Sequence, residues 1–264
     1  MVSLLVAAAL AAASPVGAPP NPPIDGPAMF VVRDADTTVY IFGTFHALDG
    51  RSRWFGNQVR GAFEQSDELV LETVIPEQPL PGQFTPTFRA PSVTPSASFL
   101  ATTRLAINAG QAQGMQVGNG ADMVLRRVAE AEGKPVEGLE TLQLQIDMFN
   151  RMPASAAAPA PRAGQPVESG SMYGLSKAMG EMQTAWKRGD QGVFVNMLAQ
   201  LRQASPDTYR MMFTERNERW ADWIRARMQA PGTVFVAVGA GHLAGPDSLL
   251  VQLAERGIPS QRVN

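Results

Sequence analysis

The chain has only two histidines, and both stand in the same local frame. Val39-Tyr40-Ile41-Phe42-Gly43-Thr44-Phe45-His46 and Val234-Phe235-Val236-Ala237-Val238-Gly239-Ala240-Gly241-His242 are apolar runs ending at a glycine, with His three residues beyond it. An imidazole so placed is a metal ligand or a proton carrier. Apolar runs without alternation read as strands buried on both faces. Glycine at their ends permits a sharp turn or a close backbone approach to a ligand, which gives Gly43 and Gly239 a cofactor-binding reading. In open α/β sheets ligands bind outside the carboxyl ends of the strands. If the two strands lie together, His46 and His242 face one crevice.

Two carboxylates invite the same placement. Glu72 interrupts the apolar run Leu69-Val70-Leu71-Glu72-Thr73-Val74, and Glu140 ends Pro135-Val136-Glu137-Gly138-Leu139-Glu140. A charge in such a strand is costly unless it is paired, hydrogen-bonded or metal-bound. Two imidazoles with one or two carboxylates suit Zn, Mn or Co, with His46, His242 and Glu72 as ligands. The remaining carboxylate would polarise a bound water as general base. The alternatives are that Glu72 pairs with an arginine and Glu140 caps the helix that follows it. Arg216 lies mid-stripe among Tyr209, Met212, Phe213, Trp220, Trp223 and Ile224, with Asn217 at the edge. There it would meet a buried carboxylate or an anionic substrate group, or else snorkel to water.

The elements that must position these groups follow from pattern. Residues 29–33 and 38–43 read as strands joined by an Asp34-Ala35-Asp36 hairpin turn. Helical spacing covers 54–65, and a short strand covers 67–74. The Pro-rich 76–95 segment reads as a surface excursion, followed by helices near 96–108 and 121–132. A strand at 135–140 and a helix at 141–150 come next, then an Ala/Pro/Gly-rich loop over 153–170. Residues 172–228 are mostly helical, and the chain closes with a strand at 233–238, a helix at 247–256 and a strand near 258–263. Strands cluster at both ends with helices between. The economical reading is an α/β fold whose mixed sheet core is built from N- and C-terminal segments, with a mainly helical insertion around 171–230.

Composition bounds the rest. The 264 residues are 45% hydrophobic and 17% charged, below the usual charged share of about 25%, and this supports a sizeable core. Lys+Arg is 22 and Asp+Glu 24, a net charge of -2 that gives no general attraction to nucleic acid. The absence of cysteine excludes disulfides, thiol catalysis and thiolate-bound metals. No P-loop, dinucleotide fingerprint, H-E-x-x-H or G-x-S-x-G is present. The apolar run 4–13, followed by small residues, reads as a secretory signal over 1–18, with no Lys or Arg ahead of it. Residues 19–27 read as a Pro-rich tether and 28–264 as the α/β domain. A periplasmic or secreted protein is expected, with no integral membrane segment after signal cleavage.

Taken in order, the strand–G-T-F-H, the strand–L-E-T, G-L-E-T-L-Q-L-Q, T-E-R-N-E-R-W and the strand–G-A-G-H-L make the chain resemble the TraB/GumN family, related to the TIKI metalloproteases. Erythromycin esterases and haem-binding ChaN-like proteins belong to the wider group. The resemblance implies an α/β core and a divalent-metal-dependent peptidase site built from both G-x-x-H motifs. His46 and His242 become the catalytic or metal-binding pair, Glu72 and Glu140 the family's acids, and Arg216 with Asn217 its R-N pair. The Leu-Glu-Thr strand lacks the adjoining second acid often found there, and the 153–170 stretch looks peculiar to this chain. The expected activity is metal-dependent hydrolysis of a peptide or small molecule. The alternatives are a metal-free histidine-based esterase or a haem-binding protein without turnover.

Overall fold

The computed structural model describes residues 26–74, 108–151 and 169–264. The leader and tether (residues 1–25 of the expected 1–27), the Pro-rich 76–95 excursion and the helix expected near 96–108, apart from Asn108, lie outside the described residues, as does most of the 153–170 stretch.

The fold is α/β around a six-stranded mixed sheet. In chain order the strands are β1 (Met29–Arg33), β2 (Thr37–Thr44), β3 (Glu68–Thr73), β4 (Val136–Glu140), β5 (Gly232–Gly239) and β6 (Gln261–Arg262). Across the sheet they run β4-β3-β5-β2-β1-β6. The four strands β4, β3, β5 and β2 are parallel, and β1 and β6 join antiparallel at one edge. Asp34 closes the β1–β2 hairpin: its Oδ1 accepts from the Thr37 amide at 2.8 Å and the Asp36 amide at 3.2 Å. β6 is shorter than expected, because Pro259 has no amide hydrogen to extend the ladder.

Both faces of the sheet are covered, so its strands read as unbroken apolar runs. On one face Phe42, Leu69, Leu71, Phe235 and Ala237 pack against α1 (Asn57–Glu64), α2 (Ala121–Ala131), the end of α4 (Ser169–Lys187) and α5 (Gly192–Ala204). On the other, Val39, Ile41, Val70, Val234 and Val236 meet Trp220 and Ile224 of α7 (Glu215–Arg227) and Leu249 and Leu253 of α8 (Leu249–Glu255). Helix α3 (Leu142–Arg151) follows β4, with the Thr141 hydroxyl accepting from the Leu144 amide at 3.2 Å. Ser248 caps α8 in the same way, so that helix starts two residues later than its pattern indicated.

Two further expectations change. The helix expected over 54–65 starts only at Asn57, because Trp54 stacks on Phe42 at 5.5 Å instead of joining a helical turn. The single aromatic stripe over 207–228 is divided. α6 (Pro206–Tyr209) passes through a π turn at Arg210–Thr214 into α7, and this extra residue per turn shifts the helical phase. Tyr209 and Phe213 therefore pack with one core cluster, while Trp220, Trp223 and Ile224 pack with the other. Among the described residues no helix is long and apolar enough to cross a membrane.

Candidate active site at the carboxyl ends of the parallel strands

Register brings the two G-x-x-H segments together. Gly43 pairs with Val238 and Thr44 with Gly239, so β2 and β5 end side by side. The close approach needs Gly43: a Cβ there would lie 3.3 Å from the Ala240 backbone and 3.3 Å from Leu243. Its carbonyl accepts the Trp186 indole N–H at 2.7 Å, so α4 braces the turn. Gly43 thus joins the two turns and is not turned to a ligand. Gly239 does face the crevice. A Cβ at Gly239 would stand 3.1 Å from Glu72 Oε1, 3.4 Å from His46 Nε2 and 3.7 Å from His242 Cδ2. That single point locates both histidines and Glu72 around one space.

The centre of the cluster is Arg216, with 5% of its side chain exposed. Its Nη2 donates to Glu72 Oε2 at 2.7 Å, and its Nε to the two Glu140 oxygens at 3.0 and 3.2 Å. Nη1 reaches His242 Nε2 at 3.2 Å and the Met212 carbonyl at 3.4 Å. The guanidinium also lies 4.5 Å over the Trp220 ring. Arg219, at the rim, donates to Glu140 Oε1 at 3.1 Å. Glu140 is therefore an ion-pair partner and not a helix cap; Thr141 does the capping. Glu72 pairs with an arginine, and its other oxygen accepts the Gly239 amide at 2.6 Å.

Asn217 sets the state of His242. Asn217 Nδ2 donates to the Asp247 carbonyl at 2.7 Å, which turns Oδ1 toward His242 Nδ1, also at 2.7 Å. Nδ1 must carry the hydrogen, and the lone pair on Nε2 accepts from Arg216. Burial, against the pull of Glu72 and with the push of Arg216 and His46, brings His242 down to about 3, so it is neutral. Burial alone would raise Glu72, but Arg216 and the histidines hold it far below the usual carboxylate range.

His46 has the opposite surroundings. Its side chain is 60% exposed, Nδ1 lies 3.4 Å from Asp122 Oδ1, and Nε2 has no hydrogen-bond partner among the described residues. Loss of solvent on the ring's inner side lowers its pKa, but Asp122 and Glu72 outweigh that and the repulsion of Arg216, and raise it to about 9. Solvent around the exposed ring screens these charges, so the upward direction is what the arrangement carries. Asp122 lies in the first turn of α2, whose Ala121 amide donates to the Phe45 carbonyl at 2.9 Å. Gly120 permits that docking, since a Cβ there would fall 2.4 Å from the His46 carbonyl oxygen.

His46, His242, Glu72, Glu140, Arg216 and Asn217 are thus brought to one crevice. Asp122, Arg219 and Gly120 belong to it as well, although none stands out by pattern. The one sequence signal for Asp122 was an acid in the first turn after Gly-Asn-Gly, which reads equally well as a favourable helix-dipole charge. A divalent ion held by His46, His242 and Glu72 does not fit this arrangement. The lone pair of His242 and one Glu72 oxygen are already turned to the Arg216 cation, and Glu72's other oxygen to a backbone amide. Among the described residues no three His, Asp or Glu side chains are arranged to hold a metal ion. His242, with both ring nitrogens engaged, has none to offer a haem iron either.

No curated protein and no solved structure matches the chain. The TraB/PrgY/gumN family model matches residues 28–87 and 84–262, which is most of the chain, and the protein belongs to that family.

Proposed function

We propose that the protein is a hydrolase in which His46 carries the proton for attack of water on an amide or ester bond of a peptide or small molecule. The supporting observation is that His46, unlike His242, combines solvent exposure with an unengaged ring nitrogen. Glu72 is held ionised, His242 is neutral and tied at both nitrogens, and the Arg216 donors face protein acceptors.

In the reactive form Nδ1–H of His46 points to Asp122, leaving the Nε2 lone pair to take a proton from water. The hydroxide adds to the carbonyl carbon. The Nε2 proton then passes to the leaving amine or alkoxide as its bond to that carbon breaks. Asp122 favours the tautomer and the imidazolium formed in between, the orienting role a carboxylate plays behind a catalytic histidine. Arg216 keeps Glu72 ionised and holds Glu140 in place, and Asn217 fixes the His242 tautomer.

A mixed peptide library and a panel of small esters, each with and without a chelator, test this reading. Turnover that resists chelation and is lost in His46→Ala is expected. Turnover abolished by chelation and restored by Mn, Co or Zn would overturn it in favour of a metallopeptidase. Export to the periplasm is proposed from residues 4–13 alone; N-terminal sequencing of the protein from the periplasmic fraction checks it.

A further inference from the structure

A cavity apart from the histidine crevice holds a cation with no counter-ion. It measures about 390 Å³ and lies where the segment following His46 meets the first turn of α1 and the last residue of α4. Ser52, Arg53, Trp54, Gln58, Val59 and Lys187 are among the residues that line it. That volume is within the range of small-ligand sites. The apolar part of the lining is rigid. Trp54 is 9% exposed, stacks on Phe42 at 5.5 Å and stands edge-on to Trp186 at 5.8 Å, and Val59 is buried.

The charged part has one sign. Arg53 and Lys187 line the cavity, and among the described residues no Asp or Glu does. Lys187 Nζ already meets Asp49 Oδ2 at 3.1 Å, and Asp49 Oδ1 accepts the Ser52 hydroxyl at 2.9 Å. Arg53 has neither an ion pair nor a side-chain hydrogen bond among the described residues. The start of α1 adds to this surplus: Gly56 supplies no side-chain cap, and the first turn holds no acid. Its free amide hydrogens therefore carry uncompensated partial positive charge. A bare helix end is common and is no site by itself. Here it borders a ligand-sized cavity that an unpaired guanidinium also lines.

We infer that this cavity binds a small organic oxyanion, a carboxylate or a phosphate, with its charged head at Arg53 and the α1 amides and its apolar body against Trp54 and Val59. Guanidinium and helix amides are both suited to such a head, which they meet with charge-assisted hydrogen bonds. Asp49 is outside the lining, and Lys187 matches its charge. The surplus is thus a single positive charge, which fits one anionic group and not a polyanion such as nucleic acid. The ligand is an accessory of the segment that follows His46 and not the hydrolysed substrate, so this inference and the hydrolase reading can fail separately.

Benzoate and phenyl phosphate, with inorganic phosphate as a head without a body, are titrated calorimetrically into the full chain and its Arg53→Gln, Gln58→Glu and His46→Ala variants. One-site binding is expected, with the better organic ion at a Kd of about 1 mM or below. Inorganic phosphate should bind at least about 3-fold more weakly, because it leaves the apolar wall unused. The tighter of the two organic ions identifies the head. Arg53→Gln should weaken binding about 10-fold, the usual size of a charge-assisted hydrogen bond. Gln58→Glu places an anion in the first turn of α1, so its unfolding temperature should hold or rise while affinity falls about 5-fold. His46→Ala should bind as wild type does. Absence of saturable binding, or affinity unchanged in both Arg53→Gln and Gln58→Glu, overturns the inference. Loss of binding in His46→Ala overturns it too, since the anion would then sit in the crevice. Inorganic phosphate binding as tightly as both organic ions overturns the part given to Trp54 and Val59.

Discussion

The two G-x-x-H segments share a sequence frame and a strand register, yet their histidines have opposite surroundings. His46 is 60% exposed, backed by an anion, and shifted upward. His242 is 6% exposed, held between an amide and a guanidinium, and shifted down to about 3. The backbone frame delivers an imidazole to the strand end. What the ring then does is decided by the helix that meets it, α2 with Asp122 for one and α7 with Arg216 and Asn217 for the other. Two groups pushed apart in this way take different parts in acid–base chemistry. On this reading His46 carries protons and His242 orients Arg216.

Substitutions break that division most sharply at His46. Its alanine variant is expected to lose about 10²–10⁴-fold in kcat, the usual size of a general-base contribution, with stability within about 0.5 kcal/mol because the ring is exposed. Paired kinetic and urea-unfolding measurements read both halves. Next comes Arg216→Met, which strands Glu72 as a buried anion and leaves Glu140 only the rim Arg219; it should cost about 3–5 kcal/mol of stability, and a urea midpoint equal to wild type would show the network to be dispensable. His242→Ala removes a ring packed at 4.4 Å from Trp220 and leaves Asn217 Oδ1 without its donor and Arg216 Nη1 without its acceptor. About 2–4 kcal/mol of stability should go with it, the reverse of the His46 pattern.

Acidity sharpens the contrast, because the two shifts have opposite signs. A folded-state pKa below the unfolded value means that the unfolded chain binds the proton first. His242 therefore withdraws stability as pH falls from its ordinary 6.5 toward about 3, at up to about 1.4 kcal/mol per pH unit. Glu72 adds to that loss below its ordinary 4.5. His46, shifted upward, contributes below 6.5 and loses that contribution as pH climbs through its raised value. Denaturant curves at several pH values should show the acid-side loss flattened in a His242→Gln variant. The smallest effect is expected for Asp122→Asn. Its pH–rate limb should move to lower pH, since the anion that favours imidazolium is gone, and a limb that stays put would mean that Asp122 does not act through His46.

Much of the framework was legible because apolar strand runs and the glycine–histidine spacing are local. The costly Glu72 and the mid-stripe Arg216 could each be read as needing a partner, and they turned out to be partners of one another. What stayed hidden depends on contacts between distant segments. Nothing local sets Trp54 in a stack with Phe42 and not in a helix, or splits the Tyr209–Ile224 stripe at a π turn. Asp122 was obscured for a different reason: an acid in a first helical turn already has a sufficient local explanation. The divalent ion expected from two imidazoles and a carboxylate depended on lone pairs being available, and side-chain types alone do not say which way those lone pairs turn.

β5 lies between β3 and β2, although it comes near the end of the chain. Until residues 232–239 leave the ribosome, β2 and β3 have no strand to bridge them, and each keeps an unpaired edge. Such long-range pairing makes closure of the sheet slow and late. A nascent or C-terminally shortened chain would thus expose sticky strand edges, and a stop codon ahead of Gly232 would remove the middle of the sheet instead of trimming its rim.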